Sequence, residues 1–355
     1  MTDLADFHAA EPFGLPRAAK RPLLTARLLE LTRHHAAQSP AYRRLLDALG
    51  VDPDQLETLE DIPFLPVRLF KQFDLRSVGE AEIRAALTSS GTSGQAPSRI
   101  YLDAPTARAQ TQALARIVAT VLGPRRLPAL FIDAQATLGD RRAFSARAAG
   151  LRGFSVFGRD VTFALDGDLR PDWAAVTDFL ERHAGQDLFL FGFTFLVWRF
   201  LEAARADGVA LDLGRATLIH GGGWKQLADQ ALTDADFRAG LGETFGLRRV
   251  FDYYGMVEQA GSIALQCEAG RLHTSVYSEV LIRRPADFSI AQPGEAGLIE
   301  ALSALPLSYP GHAVLTEDRG VLLGEDDCAC GRQGTAFAVL GRLDQAEVRG
   351  CSNVL

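Results

Sequence analysis

Cys267, His273, Cys328 and Cys330 offer three thiols and one imidazole, a donor set that suits tetrahedral zinc. The run Cys328-Ala329-Cys330-Gly331-Arg332 has the tight spacing and trailing glycine of a metal knuckle. Four protein ligands leave no open coordination position, so the expected ion is a structural clamp rather than a catalyst. Unligated buried cysteines beside an unrelated histidine are the alternative. The remaining cysteine, Cys351, sits in Glu347-Val348-Arg349-Gly350-Cys351-Ser352, where Arg349 would favour its thiolate electrostatically. A reactive thiolate carried to an active site by a flexible tail and an idle terminal thiol both fit that position.

Other strings could hold an anion. In Leu87-Thr88-Ser89-Ser90-Gly91-Thr92-Ser93-Gly94, backbone N–H and side-chain O–H groups can converge on a phosphate. The loop lacks the Gly-Lys-[Ser/Thr] ending of a Walker motif, and an ordinary Ser/Thr/Gly turn has the same composition. His220-Gly221-Gly222-Gly223-Trp224-Lys225 follows a predicted strand. Its glycines allow close approach of backbone to a flat or charged ligand, although a flexible strand–helix link would look alike. Tyr253-Tyr254-Gly255-Met256-Val257-Glu258-Gln259 ends another predicted strand, where a lone glutamate is ordinarily a solvated helix-start residue. Thr316-Glu317-Asp318 and Gly341-Arg342-Leu343-Asp344 complete the series.

These strings, in this order, resemble the adenylate-forming superfamily of acyl-CoA synthetases, luciferases and adenylation domains. The resemblance implies ATP and Mg²⁺ as cofactors. It makes Thr88, Ser89, Ser90, Gly91, Thr92, Ser93 and Gly94 a phosphate loop, and puts Gly221, Gly222 and Gly223 beside adenine. Tyr253, Tyr254 and Gly255 would flank the adenine, Glu258 would hold Mg²⁺, Asp318 would bind the ribose hydroxyls, and Arg342 would lie near the interdomain hinge. A carboxylate at Glu258 suits a hard cation bridging phosphate oxygens. Two departures stand out. The superfamily loop continues Gly-x-Pro-Lys, whereas Gln95-Ala96-Pro97-Ser98 keeps the proline and lacks the lysine, and Glu317 replaces the usual glycine.

Phe64-Leu65-Pro66-Val67-Arg68-Leu69-Phe70-Lys71, Leu87–Gly94, His220–Lys225, Tyr254–Glu258 and Arg349-Gly350-Cys351 together resemble the bacterial acyl-protein synthetases of the LuxE type. That resemblance covers roughly residues 60–355. It implies a fatty acid activated as acyl-adenylate, held as a thioester on Cys351 and passed to a partner reductase or carrier protein. The cysteine pattern also resembles the zinc-bearing branch that includes phenylacetate-CoA-ligase-like proteins, so an aryl- or acyl-CoA or carrier-protein ligase is an alternative. A nucleotide-binding scaffold that has lost its chemistry is another, left open by Ser98 and Glu317.

The chain has three lysines, Lys20, Lys71 and Lys225. Full-length adenylating ligases use a lysine of a C-terminal domain to orient the acid and the phosphate. No lysine follows Lys225 here, and the residues after Asp344 are too few for such a domain. The expectation is that this domain is absent and that Lys225 pairs with the carboxylate or the α-phosphate.

The elements that would position these groups are legible from periodicity. Residues 22–48 read as two helices broken near Ser39-Pro40, followed by an extended, proline-punctuated Ile62–Pro66. Predicted strands at Ala129–Ile132, Leu188–Phe191, Thr217–Ile219 and Val250–Tyr253 alternate with predicted helices at Pro105–Val121, Trp173–His183, Phe195–Ala206 and Lys225–Ala239. That alternation implies a largely parallel sheet flanked by helices. After Gly261 short β-prone runs separated by Gly and Pro imply an antiparallel β subdomain. The expected fold class is α/β: an adenylate-forming-enzyme-like large domain of layered sheets and helices, a β subdomain and a truncated C-terminal appendage. The expected divisions are a helical region at 1–85, a nucleotide-binding core at 86–262, a β subdomain with the zinc knuckle at 263–340 and a tail at 341–355.

Composition narrows the function classes. The chain of 355 residues, 47% hydrophobic and 23% charged, can bury a large core without disulfides. A net charge of −7 argues against a general nucleic-acid binder. Met1 to Pro16 carries Asp3 and Asp6 and no apolar run, and no stretch approaches a membrane span, so a cytoplasmic protein is expected. Nothing in the sequence marks the acid's length, aliphatic against aromatic substrates, or the oligomeric state.

Overall fold

The computed structural model describes residues 4–88, 98–139, 146–222 and 233–343. The architecture is mixed α/β. Packing divides the chain into two units, 115–254, and 1–114 together with 255–355. Bonds within the second of these units link residues hundreds of positions apart. Val67 N–H, for example, donates to Leu315 O at 2.9 Å.

In the 115–254 unit five strands run parallel, in the order Gly158–Leu165, Leu127–Ala134, Leu188–Phe193, Ala216–Gly221, Arg249–Tyr254. The central Leu188–Phe193 is buried along its whole length, as a strand covered on both faces requires. Helices Trp173–Arg182, Thr194–Asp207 and Asp234–Phe245 supply Val176, Phe200, Leu201, Phe237 and Leu241 to the core beside Leu190 and Leu218. Thr233 and Asp236 form a capping box on the last of these helices, and Gly246 ends it in the left-handed conformation (φ 68). Strand Gly158–Leu165 lies at the edge of this parallel set and is only partly buried, so it lacks the continuous apolar run that marks its neighbours. Periodicity did not reveal it for that reason.

In the other unit six strands are antiparallel, in the order Ser278–Arg283, Ala296–Ser303, Ala313–Glu325, Thr335–Arg342, Leu272–His273, Ala264–Gln266. The short strand Leu65–Pro66 lies parallel to Val314 and Leu315. Helices Arg17–Gln38 and Pro40–Leu49 break at Ser39, whose hydroxyl accepts from Tyr42 N–H. Pro40 opens the second helix, where its missing N–H costs nothing. Ala85–Thr88 and Arg99–Leu102 form an antiparallel pair, and Asp103 caps helix Ala104–Leu122 by accepting from Thr106 N–H at 2.8 Å. Among the described residues no helix is long and apolar enough to cross a membrane.

A polar knot lies inside this unit. The rings of His35 and His312 stack 5.0 Å apart, and both residues are fully buried. His35 bonds Ser77 Oγ at 2.8 Å and Pro306 O at 3.2 Å, and Thr32 Oγ1 bonds His312 at 2.9 Å. Burial, with His312 and His34 close by, holds His35 well below the ordinary imidazole value. Burial, with Arg27 and His34 close by, pushes His312 down to about 3. The unfolded chain therefore binds more protons than the folded one below about pH 6.5. Stability is complete above that pH and is lost as the pH falls toward 3. Each of the two histidines should contribute a slope of up to about 1.4 kcal/mol per pH unit, checked by urea denaturation from pH 8 to 4. A His312→Gln variant should show a shallower acid limb.

Candidate functional site

In the unit that includes 255–343, the four predicted metal donors meet. The ligand atoms of Cys267, His273, Cys328 and Cys330 all lie within 4.8 Å of one another. Cys267 Sγ is 3.8 Å from Cys328 Sγ, and Cys330 Sγ is 3.6 Å from His273 Nε2. A tetrahedron with metal–sulfur bonds of about 2.3 Å has edges of about 3.7 Å, so the donor set fits a metal ion. Two tight turns bring the cysteines together. Gly270 N–H donates to Cys267 O at 2.9 Å and Gly331 N–H to Cys328 O at 3.0 Å. Both glycines take positive φ, 77 and 81, which other residues adopt at a cost. Burial, with Arg332, Arg271 and Lys20 near, lowers His273 to about 4 and keeps the imidazole in its neutral, ligating form. Burial pushes the Cys330 thiol up to about 12, a shift that a bound cation opposes, and Arg332 N–H donates to its sulfur at 3.4 Å.

Arg332 does more than the sequence indicated. Its guanidinium donates to Leu265 O at 2.8 Å and Gln266 O at 3.2 Å, just before Cys267, and lies over the Phe13 ring at 4.3 Å. Gln333 N–H donates to Phe13 O, Val276 N–H donates to Pro12 O, and Lys20 Nζ reaches Thr274 Oγ1 at 2.8 Å and Glu279 at 3.1 Å. The cysteine–histidine cluster is thus the seat of the segment 12–20. An arginine trailing a knuckle is a common solvated residue, so only the folded arrangement identifies it.

Glu258 lies on the single turn Val257–Gln259 and is 4% exposed. The neighbouring Gln259 amide donates to Ala301 O at 2.8 Å and Gly311 O at 2.9 Å, which ties the turn to two separate segments. A Cβ at Gly311 would stand 2.2 Å from the Tyr309 ring and 2.7 Å from Glu258 O, so only glycine fits there. Burial, with the Glu258 charge nearby, raises the Tyr309 hydroxyl, which accepts from Gln110 Nε2 at 3.1 Å.

Asp318 and Arg342 face each other on adjacent strands, with Arg342 Nε donating to Asp318 Oδ1 at 3.2 Å. Asp318 N–H donates to Thr316 Oγ1 at 3.1 Å, and that hydroxyl donates to Ile299 O at 2.8 Å. Glu317, where the superfamily has glycine, pairs with Arg68. Its presence therefore has a local cause, since Arg68 follows the strand Leu65–Pro66 that lies beside Val314 and Leu315. Thr88 ends its strand opposite Arg99.

In the 115–254 unit the strand ends carry Gly221, Gly222, Tyr253 and Tyr254. A Cβ at Gly221 would lie 2.5 Å from the Tyr253 ring, and one at Gly222 would lie 2.5 Å from the Phe193 ring. The glycines are required because aromatic faces rest directly on the backbone. Tyr253 also packs against Phe154, ring centres 5.1 Å apart, and Phe191 at 6.3 Å. Gly255 follows in the other unit and is exposed. Ser89, Ser90, Gly91, Thr92, Ser93, Gly94, Gly223, Lys225 and Cys351 lie outside the described residues.

The chain is 26% identical over 345 residues to the long-chain-fatty-acid–luciferin-component ligase of Vibrio harveyi, covering 93% of this chain and 86% of that one. It is 39% identical over 87 residues to the phenylacetate-coenzyme A ligase of Thermus thermophilus, 23% of this chain and 20% of that protein. The fold matches a crystal structure of 2-hydroxyisobutyryl-CoA ligase, solved in an open conformation with 2-HIB-AMP and CoA. The TM-score is 0.75 at 19% identity, over 94% of this chain and 77% of that one. A model of the acyl-protein synthetase family LuxE matches residues 2–355, and the chain belongs to that family.

Proposed function

We propose that this protein activates a fatty acid with ATP as an acyl-adenylate and passes the acyl group to a thiol. The observation that carries the reading is the buried Glu258 carboxylate, anchored through Gln259 at the end of a Tyr-Gly-x-x-Glu string, in a chain of the acyl-protein synthetase family. The substrate carboxylate attacks the α-phosphorus of ATP, an acyl–phosphate bond forms, and pyrophosphate leaves. Mg²⁺ held by Glu258 would neutralise charge on the phosphates. Donors of Thr88–Gly94 bind the phosphate oxygens, Gly221–Gly223 and Tyr253–Tyr254 border the adenine, and Asp318, steadied by Arg342, accepts from the ribose hydroxyls. Lys225 pairs with the reacting carboxylate or α-phosphate. The Cys351 thiolate then attacks the acyl carbon, AMP leaves, and the thioester is handed to a protein partner. The Cys267, His273, Cys328 and Cys330 set holds zinc as a structural clamp.

A CoA ligase is the second reading, favoured by the similarity to phenylacetate-coenzyme A ligase over 87 residues. AMP release that depends on added CoA would select it over self-acylation.

Fatty-acid-dependent exchange of pyrophosphate into ATP should be measurable, and Glu258→Gln should reduce it by about 100-fold or more. A Lys225→Ala variant should lose exchange to a comparable degree, and undiminished exchange would remove that lysine from the scheme. Mass spectrometry after incubation with ATP and acid should find a thioester adduct that is absent from Cys351→Ser. The purified protein should carry one zinc per chain. Its removal by a strong chelator should lower the melting temperature by several degrees and open the segment 12–20 to proteolysis.

A further inference from the structure

At the ends of three adjacent parallel strands the apolar core gives way to a small polar relay. Leu188–Phe193, Ala216–Gly221 and Arg249–Tyr254 finish in register, with Phe193 beside Gly221 and Gly221 beside Tyr253. In open α/β sheets this carboxyl edge is where ligands bind. Thr194, the first residue of helix Thr194–Asp207, is 1% exposed and does not cap its own helix. Its hydroxyl instead reaches the neighbouring strand, 3.2 Å from Gly221 O and 3.0 Å from His220 Nδ1. A hydroxyl has one proton. Donated to the Gly221 carbonyl, it leaves the oxygen to accept from His220 Nδ1–H, which defines the tautomer.

The rest of the surroundings agree with a neutral imidazole in that tautomer. His220 is fully buried, with its ring 4.8 Å from that of Phe237. Its Nε2 has no partner among the described residues, as the lone-pair nitrogen of this tautomer can. Burial, with Arg238 adding to it, lowers the histidine to about 3. Asp252, its neighbour across the strands, stands 3.8 Å away. Burial and the nearby Asp234 raise that carboxyl to about 7.

We propose that Thr194 and His220 are positioning residues for the nucleotide: the His220–Thr194–Gly221 relay locks the carbonyl that begins the glycine turn. The turn is then held from two directions. The rings of Phe193 and Tyr253 press on Gly222 and Gly221, and the relay fixes the peptide orientation that the rings leave undetermined. Valine of the same shape would leave the Gly221 carbonyl and the His220 Nδ1–H without the partner the hydroxyl gives them, so the hydroxyl sets the orientation of both. The inference rests on the nucleotide reading of the turn given above.

The test is steady-state kinetics of Thr194→Val, Thr194→Ser and His220→Asn in the full chain, with imidazole ¹⁵N shifts recorded on each. Thr194→Val should raise KM for ATP about tenfold, the worth of one net hydrogen bond, while KM for the acid and kcat stay within about twofold. Thr194→Ser should restore the wild-type KM, and His220→Asn, which keeps a donor near the Nδ1 position, should fall between the two. The Nδ1–H tautomer signal should be present in the wild type and lost in Thr194→Val. An unchanged KM for ATP in a folded Thr194→Val, or equal rises for ATP and acid, would overturn the proposal. If Thr194→Val fails to fold, a wild-type KM in His220→Asn together with a raised one in Thr194→Ser would also overturn it. A wild-type chain that binds no ATP yet shows the Nδ1–H signal would sink the nucleotide reading and leave the relay as a structural feature only.

Discussion

The two bonds donated by the Gln259 amide, to Ala301 O and Gly311 O, are the constraint on which the geometry around Glu258 depends. A carboxylate 4% exposed would ordinarily move toward water, because burying a charge is costly unless it is paired and hydrogen-bonded. Glu258 is kept in place because its neighbour satisfies two carbonyls on separate segments and cannot leave without orphaning both. Gly311 completes the seat, since any Cβ there would collide with the Tyr309 ring and the Glu258 carbonyl. His312, next to Gly311 in the chain, stacks on the buried His35, which bonds Pro306 O.

The parallel unit uses different physics. Its central strands are uniformly apolar, and specificity is confined to their carboxyl ends, where glycines let aromatic rings rest on the backbone and Thr194 ties Gly221 to His220. The cysteine–histidine cluster is a third device. Two glycine-closed turns converge on one point, and Arg332 transmits that convergence to Leu265, Gln266 and Phe13. Residues that flank the cluster thereby hold the strands Ala264–Gln266 and Leu272–His273 and the segment 12–20 together.

Legibility in the sequence followed the range of the interaction concerned. The break between the first two helices was readable because Ser39 and Pro40 act on the residues next to them. The strands at Leu188 and Ala216 were readable because burial on both faces imposes an apolar run. The edge strand Gly158–Leu165 was not, since only its ends are buried and the pattern dissolves between them. Glu317 looked like a flaw in a motif until Arg68, far away in the chain, proved to be its partner. Thr194 carried no signal at all, because a threonine opening a helix is usually a cap and this one is not.

The residue types alone determined which chemistries were open to this protein: soft donors at Cys267, His273, Cys328 and Cys330, a carboxylate at Glu258, and glycines at 221 and 222 that permit a close backbone approach. Those properties belong to the atoms and to their nearest neighbours along the chain. Tertiary structure alone decided that the four donors share one point, that Asp318 meets Arg342, that segment 12–20 sits on the knuckle, and that one buried hydroxyl orients Gly221. Each of these pairings closes a loop across strands or between distant segments. The entropy of closing such loops is recovered only when the cores have formed, so no local window of sequence records it.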